Sequence, residues 1–157
     1  METFKFSLDR VRNFKGQVLD REKKFLGELQ RRRNEIADRI FALEEYRDET
    51  ILILSSKQEK GATMGELSSL GYLIDNARTQ IKAALIELDK ADEEIEKQRE
   101  IVVEVYQEKT GMDKLEEKQQ EEYRLLEAKS AEIEIMQVCS NRAADKGCQS
   151  DPISDIA

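Results

Sequence analysis

The chain has no His, no Trp, one Pro, two Cys and only 6% aromatic residues in 157. Without His, the commonest general base and metal ligand are missing, which argues against triad hydrolysis and the usual zinc sites. Cys139 and Cys148 have neither a second Cys pair nor a His to complete a metal site, and they read as reduced thiols. There is no P-loop and no dinucleotide fingerprint. The expectation is a protein that is not an enzyme and takes no cofactor, so any ATP chemistry it serves belongs to another chain. With 39% apolar residues and a mean hydropathy of -0.69, side-chain volume is short for a thick core, and an elongated helical fold fits better. No apolar run approaches the ~20 residues of a spanning helix, and Met1 to Leu8 is no leader, so a soluble intracellular protein is expected.

Charge, by contrast, is abundant: 34 acids oppose 26 bases, for a net of -8. Such a surplus argues against nucleic acid as the main partner, because phosphate binding needs excess Lys and Arg. Arg31-Arg32-Arg33 with Lys23 and Lys24 is a local exception. It lacks the aromatic ladder that stacks on bases, and acids elsewhere in the chain suffice to neutralise it. Carboxylates at helical spacing, such as Glu100 and Glu104, read as solvated faces rather than an acid and base pair.

Glycine and proline punctuate the chain in few places, and Gly61-Ala62-Thr63-Met64-Gly65 is the only such cluster between two long periodic stretches. Thr63 and Glu66 form a capping box that starts a second helix. Pro152 is the only proline, so nothing in either stretch must break a helix. The expected fold is all-α: two long helices in an antiparallel coiled-coil hairpin over residues 1–138. The helices run about 4–60 and about 64–138, joined by a turn at 61–65, and a disordered tail covers 139–157.

In the first helix a heptad register puts Leu8, Lys15, Glu22, Leu29, Ile36, Leu43 and Thr50 at a. Phe4, Val11, Val18, Phe25, Arg32, Arg39, Tyr46 and Ile53 fall at d, with Leu19, Leu26 and Ile40 widening the stripe at e. In the second helix a runs Leu67, Ile74, Ile81, Leu88, Ile95, Val102, Lys109, Glu116, Tyr123 and Ser130. Its d residues Ala77, Ala84 and Ala91 are small enough to let two backbones approach.

Charge tests the hairpin independently. A turn near residue 63 lays the window 4–33 against 93–122. The first holds ten bases and four acids, the second five bases and eleven acids, giving +6 against -6. Opposite charge at flanking positions selects partner and orientation. Gly16 and Gly111 fall nearly opposite each other and would weaken both helices by roughly 1 kcal/mol each relative to alanine.

Pairing runs out near Phe4 opposite Tyr123, yet helical periodicity persists. Leu125, Leu126, Ile133, Ile135 and Met136 then form a stripe without an intramolecular partner, which reads as a docking surface. Arg10, Arg12 and Arg21 near the same end suit an acidic partner surface. Tyr46 is expected to face inward, and Tyr72 to lie off the seam as a surface anchor.

The opening Phe4-Lys5-Phe6-Ser7-Leu8-Asp9-Arg10-Val11 resembles the F-x-F-x-L-x-x-V segment of the FliJ family of flagellar export proteins. Asp113-Lys114-Leu115-Glu116-Glu117-Lys118, followed by Glu121-Glu122-Tyr123-Arg124, is similar to that family's K-x-L-x-x-K-x-x-E-E-Y-R stretch. The resemblance covers about residues 1–138. It implies a stalk-like hairpin at the cytoplasmic face of the membrane, similar to the central subunit of rotary ATPases. By that resemblance Phe4, Arg10, Arg12, Arg21, Tyr123, Leu126 and Ile133 bind the hexameric export ATPase. Leu43, Tyr46 and Tyr72 meet the export gate protein FlhA, and export chaperones are escorted. Thr50, Asn76 and Ala83 in the gate patch depart from the bulkier residues of the family. The alternatives are a coiled-coil stalk of a virulence type III secretion system and a prefoldin-like chaperone, although the Gly61 to Gly65 turn leaves no room for prefoldin's β-hairpins.

Overall fold

The computed structural model describes residues 2–148. It contains two helices, α1 (Asp9–Lys60, 52 residues) and α2 (Met64–Cys148, 85 residues). They pack antiparallel as a coiled-coil hairpin, the fold class expected from sequence. Contacts group into two compact units. One is formed by residues 14–108, and the other by the described residues up to Asn13 together with those from Lys109 onward.

In the unit of residues 14–108 the helices meet along a thin seam. On α2 the buried side chains are Ile74, Ala77, Ile81, Ala84, Ile95 and Gln98, the a and d positions read from the sequence. Ala77, 2% exposed, illustrates why the small d residues matter: a methyl group is covered only when the opposite helix comes close.

On α1 the row at a is as expected, but its companion row is e rather than d. Leu19 and Ile40 are buried and Leu26, Arg33, Arg47 and Leu54 half-buried, whereas Phe25, Arg32, Arg39, Tyr46 and Ile53 are exposed. Row d places Arg32 and Arg39 in consecutive heptads, whereas the arginines of row e, Arg33 and Arg47, alternate with Leu26, Ile40 and Leu54, and Arg33 reaches Asp92 across the seam. With e inward, Arg39 stays at the rim and pairs with Glu87.

Charged pairs between the helices follow the expected register. Lys15 Nζ lies 2.5 Å from Glu108 Oε2, Arg33 Nε 3.0 Å from Asp92 Oδ1 and Lys57 Nζ 3.9 Å from Glu66 Oε2. Of the basic run, Arg31 meets Glu35 at 3.8 Å and Arg33 meets Asp92. Pairs this exposed contribute about 0.2–1 kcal/mol each. They select orientation more than they hold the fold.

Two polar residues interrupt the seam. Thr50 donates from Oγ1 to the Tyr46 carbonyl at 2.7 Å, which satisfies its hydroxyl within α1. Gln98 donates from Nε2 to the Glu22 carbonyl at 3.2 Å and to the Glu22 carboxylate at 2.5 Å. A buried polar layer that is satisfied in one register and orphaned in others fixes which layers meet.

At the turn, α1 ends at Lys60 and Gly61 follows with φ at +87°, the left-handed conformation that closes a helix and that glycine adopts without a Cβ clash. Thr63 Oγ1 accepts from the Glu66 amide at 3.3 Å, which is half of the expected capping box. The Glu66 carboxylate turns instead to Lys57.

Both ends of the hairpin differ from the boundaries expected from sequence. α1 starts at Asp9, not near residue 4, because the Phe6 carbonyl accepts the Asp9 amide at 3.2 Å and turns the chain before the helix. α2 continues to Cys148, ten residues past 138. Ala143 and Ala144 are strong helix formers, no glycine or proline intervenes before Gly147, and Lys146 in the last turn complements the helix dipole. The rest of the expected tail, after residue 148, lies outside the described residues.

Replacing Gly61 by Ala is expected to cost about 1–2 kcal/mol, read as a lowered urea midpoint with unchanged m-value. The double variant Glu22→Leu with Gln98→Leu is expected to gain about 1 kcal/mol or more while loosening register. Its test is disulfide trapping, with Cys139 and Cys148 replaced by Ser. Arg39→Cys should bond only to Glu87→Cys in the native layer arrangement, and also to Glu94→Cys, one heptad away, in the leucine variant.

Candidate functional site

In the unit formed by the two chain ends, the segment 2–8 lies against α2. Phe6 is buried at 7% exposure. The Phe4 ring sits 5.6 Å from that of Tyr123, tilted by 47°, and the Tyr123 hydroxyl donates to the Glu2 carbonyl. Phe4 and Phe6 alternate as on a strand, so both rings reach the same side of an extended backbone.

Behind them Arg12 ties the first turn of α1 to both neighbours. Its guanidinium pairs with Asp9 at 2.6 Å, pairs with Glu116 of α2 and lies 5.9 Å from the centre of the Phe6 ring. A charge held by two carboxylates and a ring face is fixed in orientation. Arg12, one of the three arginines expected to meet an acidic partner surface, pairs with carboxylates of its own chain, while Arg10 is exposed. Arg21, also exposed, belongs to the other unit.

Tyr123 is the last covered position of the α2 seam. Its phenol is held above the ordinary 10, first by desolvation and then by the hydrogen bond and charge of Glu127 and the charge of Glu2. Past it the helix is bare: Leu125, Leu126, Ile133, Ile135, Met136 and Val138 are all at least half exposed, Leu126 at 65%. Leu126 and Ile133 occupy successive d positions, continuing the row that is buried at Ala77 and Ala84.

The second set of candidate residues lies in the unit of residues 14–108. Leu43 is half-buried at the seam, whereas Tyr72 is 71% exposed. Tyr46 is exposed at 45%, not inward as the d assignment implied, because the seam of α1 runs along e. Exposed Ile53 and Leu73, together with Leu52 at 70%, add apolar surface near this end that the sequence reading had treated as core packing or passed over. Leu52 gave no heptad signal, since it lies off both rows.

Among the described residues no cluster of Cys, Asp and Glu is arranged to hold a metal ion, and no helix is long and apolar enough to cross a membrane. The candidate site is a surface of exposed apolar side chains with charges beside them.

Tyr123 gives a pH handle. Because its folded pKa is raised, its contribution to stability is present below pH 10 and is lost as pH rises through the folded value. Ultraviolet titration should show one phenol ionising late, and Glu127→Gln should move that phenol back toward 10.

The family model described as Flagellar FliJ protein matches residues 4–132, which includes the segment 2–8 from Phe4 onward, both helices of the hairpin and the first exposed leucines. The comparisons with curated proteins and with solved structures each returned no match. On the strength of that match over most of its length, the chain belongs to the FliJ family, a component of the flagellar type III export machinery.

Proposed function

We propose that this chain is a stalk-like adaptor that binds the hexameric flagellar export ATPase through the part of α2 beyond Lys109. The observation that carries the reading is the bare apolar row of Leu126 and Ile133 directly after the last covered seam position, Tyr123. A helix whose d row stays apolar after its intrachain partner ends offers the same interface to another chain. Tyr123 supplies aromatic surface at the root of that row, and Arg10 is an exposed positive charge in the same unit. Arg12 shapes this end by holding Phe6 and Glu116. Arg21 lies farther along α1 and would meet the ATPase only at the margin of the contact.

On this reading the partner's turnover changes because the stalk engages several ATPase subunits at once and favours the assembled hexamer. The unit of residues 14–108 carries Tyr46 and Tyr72, exposed aromatic residues of the kind that anchor transient contacts, and the half-buried Leu43. We assign these three to the export gate protein FlhA, and we place chaperone escort on the exposed part of α2 beyond Leu126.

The experiment is binding to, and stimulation of, the cognate export ATPase at concentrations where it is mostly unassembled. Leu126→Asp with Ile133→Asp alters exposed positions outside the seam and leaves the hairpin folded. If the row is the interface, the double variant should bind about 30-fold more weakly or worse, a loss of roughly 2 kcal/mol, and lose stimulation. Native affinity in this variant would remove the assignment. Tyr72→Ala should leave ATPase binding intact and weaken only the contact with the gate protein.

A further inference from the structure

The segment before α1 does more than end the chain. Phe4 and Phe6 lie over α2 at the a positions Glu116 and Tyr123, and the bare rungs of Leu126 and Ile133 follow on the adjacent d row. Any helix that docks along this row and continues toward the seam meets Phe4 on Tyr123. The anchors of the segment are few: the Phe4 contact with Tyr123, the buried Phe6 ring beneath the Arg12 guanidinium, the Tyr123 bond to the Glu2 carbonyl and the turn bond from Asp9 to Phe6. Neither Glu2 nor Lys5 forms an ion pair among the described residues, and residues 2–6 carry no helix. Such a segment opens locally far more easily than the helices beneath it.

We propose that residues 2–8 are a strap that holds the Tyr123 face of α2 closed in the free chain and is displaced when the export ATPase docks along the bare row. The inference rests on the ATPase reading above. The strap is a ligand carried by the chain itself: its two phenylalanines fill the positions that apolar side chains of the partner take on binding. Its closed fraction lowers the apparent affinity by the fraction of time the face is open. Tyr123 is the pivot, because its ring meets Phe4 and its hydroxyl holds Glu2. The cost of opening thus falls on a few contacts that the partner restores.

The test uses the full chain, Phe6→Ser, which empties the buried anchor, and Tyr123→Phe, which keeps the ring and drops only the bond to Glu2. Circular dichroism first establishes that both retain the helix content of the parent. Affinity for the cognate export ATPase is measured, together with the rate of tryptic cleavage after Lys5 in the free and bound chain. A strap closed about 70–90% of the time predicts binding about 3- to 10-fold tighter for Phe6→Ser, a smaller gain for Tyr123→Phe, and faster cleavage after Lys5 in the bound parent chain. Weaker binding by Phe6→Ser, with slower cleavage in the complex, would make the strap part of the interface. That result overturns the inference and leaves the ATPase reading standing. Unchanged affinity and cleavage also overturn it. Absence of binding by the parent and both variants overturns the ATPase reading and the inference together.

Discussion

The close approach permitted by Ala77 and Ala84 on α2, flanked by Ile74 and Ile81, is the contact on which the rest of the structure depends. A chain with 38% charged residues has little apolar volume to bury, and a two-helix seam buries it in layers only two side chains deep. Small d residues let each thin layer exclude water, because the opposite backbone comes near enough to cover them. The consequences run outward from there. Most charges line the rims of the seam, where Lys15 meets Glu108 and Arg39 meets Glu87. The Gln98 and Glu22 layer gives up some apolar burial and in return distinguishes one register from its neighbours.

The same constraint explains where the chain stops folding onto itself. The apolar row on α2 does not end when α1 does. Past Tyr123 at a, the d row carries Leu126 and Ile133, and a thin seam has no other side on which to hide them. A wide core would have absorbed these residues. In a family of export components, an exposed continuation of an interface on one unit and a set of exposed aromatic side chains on the other fit a protein whose work is to hold others together.

Much of this was legible in the sequence, for identifiable reasons. On α2 the a and d rows stand alone: no competing row is apolar, so Ile74 to Gln98 could be assigned directly, and the alanines announced a close antiparallel contact. Opposed charge in the two windows gave the pairing, and Gly61 with Thr63 gave the turn. On α1 two adjacent rows both carry apolar residues, and heptad counting cannot choose between d and e. The choice depends on which charges find partners across the seam, as Arg33 does in Asp92 and Arg39 in Glu87, and that requires the partner helix. Tyr46 changed sides for the same reason. The strap was missed because Phe4 and Phe6 alternate over too few residues to distinguish an extended segment from the first turn of a helix. The extension of α2 to Cys148 was missed because Ser140 and Asn141 are weak helix formers but not breakers, and the alanines after them carry the helix on.

The central claim is that one chain pairs with itself in antiparallel register through this seam, leaving the far part of α2 for a partner. Spin labels at Arg39→Cys and Glu87→Cys, in a background without Cys139 and Cys148, test it most directly. The account predicts one short, narrow distance distribution that does not change with protein concentration and vanishes when the two labels are placed on separate chains and mixed. A short distance that appears on mixing singly labelled chains would show that the helices pair between molecules, and would contradict the account.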